Sequence, residues 1–238
     1  MPADRRALRQ ALSQQRAAPA ARFVGFDFDC TLTVRHFFKV FAWCYAQRSS
    51  AHPHCKAFYD WCRERDVEHE IQELLDPSDP MSSALEDFCR HAGEKVFHEV
   101  FREVFLGGDE RITMVASWLE SMRQKGVEFG IVTAGTSTAV LRALSAAPEW
   151  QPFFPSVRIW DTQQGRHSIR SLAGHKVLML RDICPTACRI VLVDDSIERD
   201  RPPQWVLDAA QVSLVDLPYE GPGVDQALLD KIAEAVLA

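Results

Sequence analysis

The 238-residue chain is short of several features that would each point to a class of protein. It has no surplus of basic residues: 27 Lys and Arg against 33 Asp and Glu leave a net charge of -6. Nucleic-acid domains carry a basic stripe that releases phosphate counterions, so no nucleic-acid partner is expected and any basic pocket must be local. No uninterrupted apolar run approaches the roughly 20 residues that a membrane helix needs, and the N-terminus lacks the apolar core of a signal peptide. The expectation is no membrane association and a cytoplasmic location. No Cys-x-x-Cys occurs. The seven cysteines (30, 44, 55, 62, 89, 184 and 188) are scattered and odd in number, a pattern that fits reduced thiols better than a disulfide framework. His52-Pro53-His54-Cys55, with Cys62 further on, contains zinc-type ligands but not the pair-and-pair spacing of a structural site, so a surface turn at Pro53 is expected there. Internal repeats are absent, and nothing beyond the leader is of low complexity.

What is present reads as a globular chain. Hydrophobic residues make up 47% and charged ones 25%, enough for one medium domain or a core carrying a smaller insertion. Residues 1–22 are rich in Arg, Gln and Ala and read as a leader or short surface helix. An apolar strand over 23–28 follows and ends on Asp27 and Asp29. Residues 34–106 then change to helical spacing with many aromatics, including Phe37, Phe41, Phe58 and Trp61, with helices expected near 56–75 and 82–105 around the turn-rich 76–80. No strand-like alternation interrupts this block, which is longer than a simple crossover needs and reads as an inserted all-helical subdomain. From Gly107 the pattern becomes alternating helix and strand. A helix from Asp109 closes at Gly126, a strand over 127–133 ends on Thr133, and a helix starts at Thr136 or Ser137. A third strand is expected near 157–159, a helix over about 175–182, a strand over 189–193 leading into Asp194-Asp195, a fifth strand over 212–215, and a closing helix over 225–237. This order predicts an α/β fold: a doubly wound, mainly parallel, Rossmann-like sheet of about five strands, with the core at 23–33 and 107–238.

Asp27 and Asp29 taken alone fit a ligand-binding strand end and an ordinary Asx-type turn equally well. The constellation distinguishes them. Strand ends of a parallel sheet converge on one edge, so Asp27, Asp29, Thr133, Asp194 and Asp195 become neighbours. Two unit charges about 4 Å apart repel by roughly 4 kcal/mol at an effective dielectric near 20, and a hard divalent cation relieves such a cluster. Lys176 lies near the start of the helix that feeds the Asp194 strand, where an ammonium can neutralise charge at a phosphoryl group.

Together these residues resemble the haloacid dehalogenase superfamily. Asp27-Phe28-Asp29-Cys30-Thr31 is similar to its first motif, Thr133 in Val132-Thr133-Ala134-Gly135 to its second, Lys176 to its third, and Val193-Asp194-Asp195-Ser196-Ile197-Glu198-Arg199-Asp200 to its fourth. Cys30 stands where glycine is commonest, and the third acidic position of the last motif falls on Glu198 or Asp200. The resemblance implies a phosphatase with a helical cap at 34–106. It implies Asp27 as nucleophile and Asp29 as general acid and base. Thr133, Ala134, Gly135 and Lys176 would hold the phosphoryl group. Mg²⁺ would sit on Asp27, the Asp29 carbonyl and Asp194, with Asp195 in support. A carboxylic acid beside the nucleophile favours a phosphomonoesterase over a dehalogenase, and the cap favours a small soluble phosphorylated substrate. A phosphotransferase sharing the covalent intermediate and a non-catalytic binding or interaction protein of the same fold remain open, and oligomeric state is not legible.

Overall fold

In the computed structural model, the structure describes residues 22–48, 52–73, 79–161, 171–185, 187 and 189–238. The leader, most of the 76–80 turn, the loop expected from Gly165 and Cys188 fall largely or wholly outside these residues.

Five strands form one sheet: β1 Arg22–Phe26, β2 Val127–Thr133, β3 Ile159–Asp161, β4 Arg189–Asp194 and β5 Val212–Asp216. Their order is β3-β2-β1-β4-β5 and every pairing is parallel. β1 is central, and Val24, Phe26, Val191, Val193, Phe129 and Ile131 are all nearly or fully buried, as a sheet covered on both faces requires. The strand order reverses between β1 and its two neighbours, which places the topological switch point where Asp27 leaves the sheet.

The helices that contact the sheet come from both sides of the sequence pattern. α4 (Asp109–Gln124) and α8 (Gln226–Leu237) contact each other and β2, β1 and β4, while α6 (Leu172–Ile183) and α7 (Gln204–Ala210) contact each other and β4 and β5. Two separate groups of buried apolar side chains correspond to these layers. Close packing shows at Gly25: a Cβ there would lie 2.5 Å from Leu180 Cδ2, so the Leu180 side chain on α6 would have to shift for any larger residue on the central strand.

Between β1 and α4 the described residues form only helices and turns: an irregular turn over Phe28–Leu32, α1 (Pro53–Glu64), α2 (Pro80–Ala92), α3 (Glu94–Val100), and π-helical turns at Lys39–Tyr45 and Phe101–Phe105. Local chemistry starts these helices. His52 accepts from the His54 amide with Pro53 in the first turn, and Asp79 accepts from the Ser82 amide ahead of Pro80. Phe37, Phe41, Phe58, Phe101 and Phe105 pack edge-on, tilted or, for Phe101 and Phe105, stacked, with centroids 4.9 to 6.4 Å apart, and this aromatic cluster continues through Phe28 onto one face of the sheet. The block therefore shares a core with the sheet rather than having one to itself.

Several expectations need correction. The first helix of the block starts at Pro53 and ends at Glu64, not over 56–75. The second breaks at Gly93, whose φ of 91° no helix allows, so 82–105 is three short elements. Ser156–Arg158 is a 3₁₀ turn and the third strand begins at Ile159. Helix α7 was not expected at all. The thiols are also not all reduced: Cys44 and Cys55 form a disulfide with a Cα separation of 6.2 Å, and Cys30, Cys62, Cys89 and Cys184 are free. The bridge removes Cys55 from any zinc site.

Candidate active site

β1 delivers its last residues to the switch point. The Asp27 amide donates to the Val193 carbonyl at 2.8 Å, continuing the ladder one residue past the strand. The chain then turns sharply: Cys30 has φ 55°, ψ 16°, in the left-handed region, and its amide donates to Thr33 Oγ1 at 2.9 Å. Glycine enters this conformation at least cost, so Cys30 holds a strained backbone there. Asp27 and Asp29, just ahead of this turn, line the same cavity.

Lys176, fully enclosed on α6, reaches over to the sheet edge. Its Nζ lies 3.0 Å from Asp27 Oδ1 and 2.7 Å from Asp194 Oδ2. Asp194 is wholly buried, and its other oxygen accepts from the Ser196 amide at 2.8 Å and hydroxyl at 2.6 Å. Asp195 accepts from the Glu220 amide at 2.8 Å. Burial raises the Asp27 carboxyl well above the usual carboxylate range; Lys176 lowers it, and Asp194, Asp29 and Asp195 raise it again. Burial likewise pushes Asp195 up to about 6. Burial tends to lower the Lys176 ammonium, but Asp194 and Asp27 more than reverse this and hold it charged.

Asp29 points elsewhere. Its Oδ1 accepts from the Phe38 amide at 3.0 Å and lies 3.4 Å from His36 Nδ1. Burial raises this carboxyl, but the His36 imidazolium and the amides of Phe38 and Phe37 outweigh burial and lower it. On the neighbouring strand, Thr133 is buried and its Oγ1 accepts from the Gly135 amide at 3.0 Å, which leaves the hydroxyl proton for another acceptor.

A cavity of about 470 Å³ opens here, lined by Asp27, Asp29, His36, Thr133, Ala134, Leu172, Lys176, Asp195, Ser196, Arg199, Asp200 and Tyr219. Six of the eight residues expected from sequence line it. Asp194 lies beneath it, bonded to Lys176, and Gly135 does not line it, its amide being committed to Thr133. Of the two candidates for the last acidic position, Asp200 lies at the site: its carboxylate accepts from the Leu172 and Ala173 amides at the start of α6. Glu198 is exposed. His36, Ser196 and Tyr219 were not expected among the site residues. A second cavity of the same volume, between α2 and α5 (Ser137–Leu144), holds the ion pairs Arg142–Glu94 and Arg90–Glu86 and none of these groups.

The donor set fits a hard divalent cation. One carboxylate oxygen from each of Asp27, Asp194 and Asp195 lies within 4.8 Å of the others. With all three ionised, three carboxylates and the one Lys176 ammonium leave two negative charges in a buried pocket, and all-oxygen ligands of this kind suit Mg²⁺ rather than softer metals.

No protein-family model matches this sequence, and no curated protein does. Solved structures that it is similar to include the HAD domain of effector protein Lem4 from Legionella pneumophila, at 12% identity over 90% of this chain and 95% of that one, with a TM-score of 0.43. A phosphoserine phosphohydrolase-like protein from Francisella tularensis aligns at 13% identity over 89% and 99%, with a TM-score of 0.45. A HAD family hydrolase from Deinococcus radiodurans with bound phosphate and sodium aligns at 16% over 91% and 89%, with a TM-score of 0.41. All three scores lie below 0.5. No helix among the described residues is long and apolar enough to cross a membrane.

Proposed function

We propose that this chain is a phosphomonoester hydrolase of the haloacid dehalogenase type, acting on a small soluble phosphorylated compound through an aspartyl-phosphate. The observation that carries this reading is the single cavity where Asp27, Asp29, Thr133, Ala134 and Lys176, drawn from three separate stretches of chain, come together. An Asx turn needs none of the other residues.

Asp27 is the nucleophile. Its carboxylate attacks phosphorus, and the alcohol leaves with a proton that Asp29 passes on from the His36 imidazolium, 3.4 Å from its Oδ1; Asp29 then takes a proton from the water that attacks the acyl-phosphate. One residue serves both steps because the first leaves it in the form the second needs. His36 and the Phe38 amide fix the Asp29 carboxyl, since two contacts on one carboxylate leave little rotational freedom. Lys176 holds Asp27 in place, and with the Thr133 hydroxyl and Ala134 it bears on the phosphoryl oxygens. Gly135 contributes by orienting Thr133. Asp27, the Asp29 carbonyl and Asp194 would hold Mg²⁺, with Asp195 in support; when bound, the ion offsets the negative charge that the carboxylates and the phosphoryl group bring together. The helical block at 34–106 acts as a cap, placing His36 over the cavity and excluding bulk water. The location proposed is cytoplasmic, but reduced thiols no longer support it.

The test is release of inorganic phosphate from a panel of small phosphomonoesters, with and without Mg²⁺, and with an Asp27→Asn control. Release that needs Mg²⁺ and Asp27 is expected. No release from any ester by folded protein would overturn the reading.

A further inference from the structure

Charge accounting around the cavity leaves one group over. Each carboxylate that lines it has a partner: Asp27 has Lys176, Asp29 has His36 and the Phe38 amide, Asp195 has the Glu220 amide, and Asp200 has the amides of Leu172 and Ala173. Two of the three basic lining residues are thereby matched, Lys176 by Asp27 and Asp194, His36 by Asp29. Lys39, a basic residue just beyond the first motif, is turned to Glu220. Arg199 alone among the lining cations has no carboxylate partner among the described residues. Its contacts are with Tyr219: the guanidinium donates to the hydroxyl and sits over the ring, 4.7 Å from the centroid. Tyr219 therefore holds Arg199 at the cavity wall without neutralising it. A guanidinium fixed on an aromatic face keeps donors free for a planar or tetrahedral anion and loses little entropy in binding one.

We propose that Arg199 is a specificity residue that recognises a second anionic group on the leaving alcohol, so that the substrates are phosphomonoesters of an acid. This rests on the phosphatase reading and adds the class of leaving group. The shared chemistry is an oxyanion, either a carboxylate or a second phosphate.

Matched esters test it: carboxymethyl phosphate against ethyl phosphate, and the bisphosphate of propanediol against its monophosphate. A charge-assisted hydrogen bond corresponds to a factor of about 10 to 100 in affinity. The anionic member of at least one pair is expected to exceed its neutral partner about tenfold or more in kcat/KM. Which pair shows this separates carboxylate from phosphate recognition. Arg199→Ala should lower that ratio about tenfold or more, chiefly through KM, and Arg199→Lys should restore part of it. Arg199 is solvent-exposed, so neither substitution disturbs the core. A parent ratio near one in both pairs, or an Arg199→Ala effect equal on both members, would overturn the inference while leaving the phosphatase reading intact. Failure to release phosphate from any of the four esters and from the wider panel would overturn both.

Discussion

Arg111 on α4 offers a perturbation whose size follows from the contacts it makes. Its Nη1 donates to the carbonyls of Leu32 at 2.8 Å and Leu106 at 2.9 Å, and its Nε to Val224 at 3.1 Å. Leu32 and Leu106 are where the chain enters and leaves the helical block, so one guanidinium ties both crossings to the core. Gly223 lies against the same contact: at φ +70°, a Cβ there would fall 2.5 Å from the Thr33 carbonyl oxygen, so the approach admits no side chain. Three bonds from a charged donor are worth about 1.5 to 3 kcal/mol each, roughly 4.5 to 9 in total. Against this stands the cost of burying the charge: burial, only partly opposed by Asp225, pulls the guanidinium down to about 10 from 12.5. At about 1.4 kcal/mol per pKa unit that cost is about 3 kcal/mol. Arg111→Met removes both terms and leaves three carbonyls without this donor, for a net loss of about 1.5 to 6 kcal/mol. Arg111→Lys keeps a single ammonium without the fork and should recover less than half. Urea denaturation at pH 7 with unchanged m-value reads this out. A loss under about 1 kcal/mol for Arg111→Met would refute the reasoning that Arg111 joins the crossings.

Three further outcomes are expected. His54 is buried and its Nδ1 has no partner among the described residues; burial, opposed by Glu220, depresses its imidazole to about 4. Because the unfolded chain titrates near 6.5, this neutral histidine contributes stability that is full above pH 6.5 and is lost as pH falls towards 4, at most about 3 kcal/mol. The stability difference between pH 7 and pH 4.5 should thus be smaller in His54→Gln by about 2 kcal/mol, measured by urea titration at both. The Cys44–Cys55 bridge closes a separation of 11 residues, worth about 3 kcal/mol by loop entropy. Dithiothreitol should lower the parent Tm and leave a Cys44→Ser, Cys55→Ser protein unmoved. Asp29→Asn should retain the parent Tm within a few degrees yet lose turnover by a factor of about 100 to 10,000, the usual range for removing a general acid; phosphate release at the parent rate would remove Asp29 from that role.

The parts of the fold that the sequence made legible are those whose physics is local. Ile190 to Val193 is an unbroken apolar run, and it lies within β4; Thr136 and Asp225 stand before apolar periodic stretches, and each caps its helix, whereas the helix expected from about 175 starts at Leu172 with Ser171 as its cap. The convergence of Asp27, Thr133 and Asp194 followed from parallel topology, and that of Lys176 from its place on the helix that feeds β4 and from the family resemblance. What was not legible depends on contacts far apart in the chain or on backbone angles. Nothing in the spacing of seven cysteines singles out Cys44 with Cys55, which are neighbours only because α1 packs against the turn at Lys39–Tyr45. Gly93 was read through as helix because the aromatic periodicity continues on both sides of it. Cys30, unexplained as a side chain, is a backbone matter, held at positive φ by the turn. His36, Arg199 and Tyr219 are ordinary surface residue types in sequence and acquire meaning only from what already neutralises their neighbours.

The central claim is that Asp27 carries the phosphoryl group. Rapid-quench mass spectrometry during turnover of a small phosphomonoester tests it most directly. The account predicts one phosphoryl group on the proteolytic peptide that contains Asp27, released by hydroxylamine as an acyl-phosphate is, and none on the Asp27→Asn protein. Undiminished phosphate release by folded Asp27→Asn, with no phosphoryl group on that peptide in the parent, would contradict it.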